Sequence, residues 1–301
     1  MTTPSVAPQS GEASASRPSG RPGTPARVVV GAIPGADDAV AWALRHAGRH
    51  GAPVHLVRAY ESGDLWPGGV ASALGVPRAG LRDVLTRATL TRVRRLARAN
   101  GWPEDGDPTV QVIDDRPVEA LLEAGREASM LVVGHRQRPA EALWGLGSVA
   151  LGVLRHAHVP VTVVRSAADD GPVVVGVDGS SHAFGALRHA LADAAVRRVS
   201  TVVVVAATRV TPSWADAQVE QAARAAVDAG LVPGHAQVVA VEEPPARALL
   251  DLAARHRASL LVVGHRGRGR TTSMMLGSVG QELVARGPIP VTVVRPGPAA
   301  P

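Results

Sequence analysis

Short apolar runs, rich in valine, alternate along the chain with longer segments in which apolar residues recur every three or four positions. The runs show little alternation between apolar and polar residues, which is typical of parallel strands buried on both faces. The longer segments have the spacing of helices with one buried face. This repeated order of strand and helix predicts a parallel sheet with right-handed crossovers and with helices on both of its faces.

The apolar runs predict strands throughout the chain. They cover residues 28–32, 54–59, 109–113, 130–133, 161–164, 172–177, 201–206, 236–241, 260–263 and 289–294. In the later part of the chain, one helix is predicted to begin near Ser180 or Ser181 and a second to run from Ser213 to Gly230. Serine at the start and glycine at the end are typical helix boundaries. Two further helices are predicted after Pro245 and after Ser278.

The sequence contains two copies of one pattern. Three blocks recur in the same order: SMLVVGHR at 129–136 and SLLVVGHR at 259–266, GSV at 147–149 and 277–279, and VTVVR at 161–165 and 291–295. Ordered self-similarity of this kind indicates a tandem duplication. We therefore expect one domain at residues 27–166 and a second at 172–295, joined by a linker at 167–171.

The remaining segments differ in composition from the two copies. Residues 1–26 are rich in Ser, Pro, Gly and Ala and lack the apolar stretch of a secretory signal, so they are expected to form a disordered tail. A short tail is expected at 296–301. The first copy carries extra residues within 61–80, a segment rich in Gly and Pro that includes Trp66.

Composition excludes several classes of function. The chain has no cysteine, and its 32 basic residues are all arginine, which excludes thiol catalysis, thiolate metal sites and lysine Schiff bases. The formal net charge of +6 is modest. The arginine-rich run 92–98 is interpreted as the solvated face of a helix whose inward residues are Leu81, Val84, Leu85, Ala88 and Leu96, so no nucleic-acid partner is expected. No apolar stretch approaches the ~20 residues of a membrane span, so no membrane partner and a cytoplasmic location are expected.

The segment after the predicted strand 260–263 has the features of a phosphate cradle. Gly264 and Gly267 flank His265 and Arg266, and nine residues separate Gly267 from Gly277-Ser278, where a helix is predicted to begin. Glycines allow close approach of the backbone to an anion, and the free N–H groups of a helix N-terminus favour negative charge. The Ser278 hydroxyl could cap that helix or donate to a phosphate, and Arg266, Arg268 and Arg270 add positive charge.

The spacing G-x2-G-x9-G-S resembles the ATP-binding signature of the universal stress protein family, and both copies resemble that family. The resemblance implies two tandem Rossmann-like domains of the adenine nucleotide alpha hydrolase-like type, each a five-stranded parallel sheet of order 3-2-1-4-5 with helices on both faces. In that order Asp178 and Gly264 border one crevice at a topological switch point.

The resemblance also implies a ligand and a set of contacts in the second copy. The ligand is ATP, with Mg²⁺ held through its phosphates. Asp178 would face the adenosine or a metal-bound phosphate, and the backbone of Ala206 would meet the adenine. The ribose and phosphates would lie against Gly264, Arg266, Gly267, Gly277, Ser278 and Val279. No catalytic residue and no metal held by the protein alone is assigned.

The first copy departs from this pattern. Gln137 stands where the second copy has Gly267, and Ile33 stands where it has Asp178. The loop is also less basic, with Arg138, Pro139 and Glu141. The first copy is therefore expected to be a degenerate nucleotide site with a structural or pairing role.

Three functions are open at this point. The favoured one is a nucleotide-dependent regulatory protein of the stress response, the second a slow ATP hydrolase, and the third an interaction module without a ligand. His135 and His265 recur at equivalent positions, but they are interpreted as loop residues with local hydrogen bonds, because no orienting partner is evident. The remaining histidines, including His156 and His158, are interpreted as lacking metal-ligand spacing.

The last predicted strand of each copy, 161–164 or 291–294, is apolar and lies at a sheet edge in the implied order. Open apolar edges favour pairing. The two copies are therefore expected to pair with each other within one chain, and a homodimer of whole chains is left open.

Overall fold

The computed structural model describes residues 26–33, 35–61, 78–103, 106, 108–135, 147–166, 170–206, 211–228, 236–267 and 276–295. The first half contains β1 (Val28–Gly31), α1 (Asp37–His50), β2 (Val54–Tyr60), α2 (Arg78–Ala99), β3 (Thr109–Asp114), α3 (Pro117–Ala124), β4 (Met130–Gly134), α4 (Ser148–His156) and β5 (Val161–Val164). The second half contains β6 (Val173–Val177), α5 (Ser181–Arg197), β7 (Thr201–Ala206), α6 (Pro212–Asp228), β8 (Ala236–Val241), α7 (Pro245–Arg255), β9 (Leu260–Gly264), α8 (Ser278–Arg286) and β10 (Val291–Val294).

All of these strands form a single 10-stranded sheet of order β3-β2-β1-β4-β5-β10-β9-β6-β7-β8. Within each half the strands are parallel and follow the order 3-2-1-4-5. The two halves meet where β5 pairs with β10 in an antiparallel arrangement. The α/β fold of two tandem Rossmann-like units is thus confirmed.

The centre of the β5–β10 pair is a buried threonine pair. Thr162 lies directly opposite Thr292, and Val161 and Val163 lie opposite Val293 and Val291. The two threonine hydroxyls share a hydrogen bond of 2.8 Å, and both residues have 0% of their surface exposed. The edge of each last strand is therefore paired with the last strand of the other half of the same chain. Association of two whole chains stays a prediction.

Arginines from each half cross this boundary to the helix of the other half. Arg165 Nη2 donates to the Ala285 carbonyl in the last turn of α8 (2.6 Å). Arg295 Nη2 makes the equivalent contact with the Leu154 and Arg155 carbonyls in the last turn of α4. The last carbonyls of a helix lack intrahelical partners and carry partial negative charge, so a guanidinium stabilises them.

The core consists of two apolar layers, one on each face of the sheet. Residues of α1, α2 and α5 pack on one face, and residues of α3, α4, α7 and α8 pack on the other. Both layers contain residues from both halves, so the boundary between the halves is continuous with the core. In particular, α1 of the first half packs directly against α5 of the second.

The sequence analysis misplaced the buried face of α2. Leu81 is buried as expected, but Val84 is 41% exposed and Ala88 is also exposed. Thr89 and Val93 are buried instead. The buried stripe advances by four residues at each step, and it includes a threonine whose hydroxyl is satisfied by the Leu85 carbonyl at 2.7 Å. An analysis of the sequence that considers only apolar side chains does not identify a buried threonine of this kind.

Several predictions fall outside the described residues. These are most of the N-terminal tail, Trp66 with the inserted residues 62–77, residues 167–169 of the linker, and the C-terminal tail 296–301. Among the helices that are described, none combines the length and the apolar character needed to cross a bilayer.

The threonine pair makes a testable prediction. Thr162→Val leaves the Thr292 hydroxyl buried without its partner, so we expect the free energy of unfolding to fall by about 1–3 kcal/mol. The double variant Thr162→Val/Thr292→Val replaces both hydroxyls by methyl groups of similar shape and should recover most of that loss. Urea unfolding of the two single variants and the double variant measures the difference. A double variant as unstable as the sum of the single variants would contradict it.

Candidate functional site

A crevice lies at the carboxyl ends of β6 and β9, which are neighbours in the sheet. It encloses a cavity of about 220 Å³. Seven of the predicted site residues line it: Asp178, Gly264, Arg266, Gly267, Gly277, Ser278 and Val279. The eighth, Ala206, ends β7 at the same edge of the sheet, on the strand beside β6. The strand order thus brings together segments that are far apart in sequence.

The Asp178 carboxylate forms a turn at the start of α5 and also faces the crevice. Its Oδ1 accepts a hydrogen bond from the Ser180 backbone N–H (3.0 Å), and Gly179 between them has a φ of 80°. Ser180 in turn caps α5 by accepting from the Ala183 N–H (3.1 Å). The other carboxylate oxygen, Oδ2, faces Gly267, so that a Cβ at Gly267 would collide with it. The carboxylate is therefore held by a turn and directed towards the loop after β9.

Gly264 is needed for packing. A Cβ at this position would lie 2.7 Å from the backbone carbonyl carbon of His182 and 2.9 Å from the Ala183 nitrogen. The first turn of α5 therefore rests directly against the end of β9. This contact fixes the distance between the α5 cap and the glycine loop, which are opposite walls of the crevice.

The far wall of the crevice has electropositive character. α8 begins at Ser278, its N-cap is Gly277, and no side chain caps it. The first N–H groups of a helix have no intrahelical partner. Arg266 lines the same cavity, and its Nε is buried without a hydrogen-bond partner among the described residues. Of the two roles considered for Ser278, helix capping is excluded because Gly277 occupies the N-cap.

The first half has a corresponding cavity with different chemistry. It measures about 330 Å³ and is lined by Ile33, Gly134, Gly147 and Ser148 among others. α4 begins at Ser148 without a side-chain cap, so the helix N-terminus is retained. Ile33 supplies a hydrocarbon wall where the second half has a carboxylate. Gln137 and the residues Arg138, Pro139 and Glu141 lie outside the described residues.

His265 belongs to the boundary between the halves and does not line the cavity described above. It is 1% exposed, accepts a hydrogen bond from Arg295 Nη2 (2.9 Å) and lies 3.2 Å from the Leu154 carbonyl of the first half. Burial and the nearby Arg295 and Arg266 lower the pKa of His265 to about 4. His135 has the equivalent bond from Arg165 (2.8 Å). Each histidine is thus bonded to an arginine of its own half, and that arginine also reaches a helix of the other half. Only for His265, among the described contacts, does the imidazole itself lie near the other half.

Comparison with known proteins agrees with this architecture. The sequence model of the Universal stress protein family matches residues 26–165 and 171–295. A universal stress protein of Mycolicibacterium smegmatis is 32% identical over 285 residues, covering 86% of this chain and 93% of the relative. A universal stress protein of Mycobacterium tuberculosis is 32% identical over 293 residues, covering 87% and 93%.

The chain belongs to the universal stress protein family. Among solved structures, a universal stress protein from Archaeoglobus fulgidus matches with a TM-score of 0.66 and 19% identity over 90% of this chain and 98% of that one. At this identity the match supports the fold alone. The family membership and the fold thus rest on both copies of the pattern.

The sequence analysis of this universal stress protein missed one cluster. His46 and His50 of α1 lie beside Asp193 of α5, with one ligand atom from each side chain within 4.8 Å of the others. The sequence already contained an indication of this cluster, because His46 and His50 are four residues apart and therefore lie on one face of a helix. The expectation that the histidines lack metal-ligand spacing fails at this pair. The partner Asp193 could be assigned only from the tertiary structure.

The packing at Gly264 can be tested by one methyl group. Gly264→Ala should force the first turn of α5 away from β9 and lower the free energy of unfolding by about 1–3 kcal/mol. The matched control is Gly80→Ala in α2, where an added Cβ meets nothing within 4 Å. The control should be neutral or stabilising by up to ~1 kcal/mol, since alanine is the better helix former. Equal stability of the two variants in urea unfolding would contradict the packing argument.

His265 predicts a dependence of stability on pH. Its pKa is lowered from 6.5 to about 4 in the folded protein, so only the unfolded chain gains a proton between these values. The free energy of unfolding should therefore fall as the pH drops from about 6.5 towards 4, and the contribution should level off below that range. His265→Gln, which cannot titrate, should have a shallower slope in urea unfolding over the same range. An unchanged slope would contradict this assignment.

Proposed function

We propose that the second half of this protein binds ATP, with Mg²⁺ carried on the phosphates, and that the chain is a nucleotide-dependent regulatory protein of the stress response in the cytoplasm. In this proposal residues 172–295 form the nucleotide-binding domain and residues 27–166 a domain with a degenerate site. The observation that carries the proposal is the buried Nε of Arg266, which has no hydrogen-bond partner among the described residues, in a residue that lines the same cavity as the uncapped N-terminus of α8.

The residues of the crevice fit a phosphate group. An arginine nitrogen buried without a partner is costly unless a ligand or water satisfies it, and an anion does so with additional charge attraction. The first N–H groups of α8 provide donors of the same kind. Gly267 lines the crevice and is exposed, and the Asp178 carboxylate occupies the space that a side chain at Gly267 would need.

The roles of the individual residues are those that the family resemblance implies. Arg266, Gly267 and the α8 N-terminus, with Gly277, Ser278 and Val279, would hold the phosphates. Asp178 would face the adenosine or a phosphate-bound Mg²⁺, Gly264 would border the ribose, and the backbone of Ala206 would meet the adenine. Mg²⁺ keeps several waters and binds chiefly through phosphate oxygens, so a dedicated set of protein ligands is not required.

A regulatory role is supported by the connection between the crevice and the boundary of the halves. The Gly277 N–H donates to the His265 carbonyl (2.9 Å), while the His265 imidazole contacts Arg295 and lies near Leu154 of the first half. A ligand that orders Gly277 therefore acts on a segment that also contacts the other half. Hydrolysis has less support, because the His265 imidazole is held in that boundary and its pKa, lowered to about 4 by burial and nearby arginines, makes it a weak general base.

The proposal is tested by Gly267→Gln, which gives the second half the residue that the first half has at Gln137. The new side chain would occupy the space next to Asp178, so we expect the affinity for MgATP to fall at least tenfold, about 1.4 kcal/mol. Isothermal titration calorimetry of the full chain measures the change. Gly80→Gln, the same change at a glycine of α2 where an added Cβ meets nothing within 4 Å, should bind MgATP like the unaltered chain.

Two outcomes would count against the proposal. Unchanged MgATP affinity in Gly267→Gln, with unaltered urea unfolding, would exclude this crevice as the site. If the unaltered chain carries no nucleotide after mild purification and is not stabilised by added MgATP, the interaction module without a ligand is favoured instead. ATP turnover that is lost in Asp178→Ala while binding is retained would support the hydrolase.

A further inference from the structure

The duplication placed the same five residues on two helices that now pack together. Ala-Leu-Arg-His-Ala occurs at residues 43–47 of α1 and again at residues 186–190 of α5. Four positions after each histidine there is another potential ligand, His50 in α1 and Asp193 in α5. Residues four apart lie on the same face of a helix. Because α1 and α5 pack against each other, the two pairs meet at the boundary of the halves.

The donor atoms of three of these side chains lie at the spacing of a metal site. His46 Nδ1 is 3.3 Å from Asp193 Oδ1, and His50 Nε2 is 3.0 Å from the same oxygen. In a tetrahedral zinc site with bonds of about 2.0–2.1 Å, neighbouring ligand atoms are separated by roughly 3.3 Å. The two measured distances are therefore close to the separation between ligand atoms in such a zinc site.

Burial and charge also favour a cation here. Asp193 is 2% exposed, and its second oxygen, Oδ2, accepts a hydrogen bond from Arg197 at 3.3 Å. Carboxylate ligands of metals are commonly oriented by such an outer partner.

His189 is a second, independent indication of a ligand at this position. It precedes Asp193 by one turn of α5, and its Nε2 is buried with no hydrogen-bond partner among the described residues. Its ring interacts electrostatically with both Asp193 and His50. Among the described residues, the packing of α1 on α5 thus leaves one buried imidazole nitrogen without a hydrogen-bond partner in the neighbourhood of the cluster.

We propose that His46, His50 and Asp193 bind one Zn²⁺ ion per chain, with a water molecule at the fourth position. Imidazole and carboxylate donors suit zinc, whereas Mg²⁺ and Ca²⁺ prefer sets made of oxygen atoms. The ligands come from both halves, so the ion stabilises their packing. This site is separate from the crevice at Asp178 and Gly264, and it does not depend on nucleotide binding.

The experiment uses the full chain, treated with a chelator that is then removed, and ZnCl₂ as the only added ligand. We expect calorimetry to give one zinc per chain and thermal unfolding to shift upwards with zinc concentration. Co²⁺ in place of zinc should give the visible absorption of a tetrahedral site. His50→Ala should weaken zinc binding at least tenfold and abolish the upward thermal shift.

A matched control is available in His156→Ala, since His156 is an exposed histidine of α4 outside this cluster. It should bind zinc like the unaltered chain. His50→Gln serves if His50→Ala fails to fold, because glutamine can still donate to Asp193 but is a poor zinc ligand. Zinc binding of the same affinity and stoichiometry in the unaltered chain and in the folded His50 variant would overturn the proposal, as would binding that is lost in His156→Ala instead.

Discussion

The antiparallel pairing of β5 with β10 is the constraint on which the rest of the molecule depends. Both strands are apolar, and each would otherwise be an open sheet edge. The Thr162–Thr292 hydrogen bond favours this register of the two strands. If one strand shifted by one residue, the two hydroxyls would no longer lie opposite each other. The pairing makes one sheet of two halves. It also determines which helices of the two halves meet, α1 with α5 on one face.

The contacts across the boundary repeat in both directions, whereas the two crevices differ. Arg165 and Arg295 reach equivalent carbonyls of the opposite half, and each contacts an equivalent histidine. The arginine contacts across the boundary are therefore equivalent in the two copies. The crevices differ where a ligand would be discriminated, with Asp178 in one half and Ile33 in the other. Such a division is consistent with a binding half and a supporting half.

The strands could be predicted from sequence because the central ones are runs of mainly Val and Leu, and the duplication repeats the runs of β4 and β5 at β9 and β10. The order of the strands came from the resemblance to a family. What could not be predicted depends on distant packing. The arginine partners of His265, the contact of Gly264 with α5, and the proximity of Asp193 to His46 all join segments that share no local pattern. The buried face of α2 was misjudged because Thr89, a polar residue, belongs to it.

The facing pairs His46/His50 and His189/Asp193 have a consequence for how such a molecule can arise. In an assembly of identical chains the twofold axis copies every side chain, so an aspartate at the position of Asp193 would face a second aspartate at the position of His50. Two buried carboxylates at that separation repel each other strongly. Covalent fusion of the halves removes this copying. A single aspartate, Asp193, can then lie at the boundary facing the imidazoles of His46 and His50. Two identical chains related by an exact twofold axis could not form this pairing of one carboxylate with imidazoles.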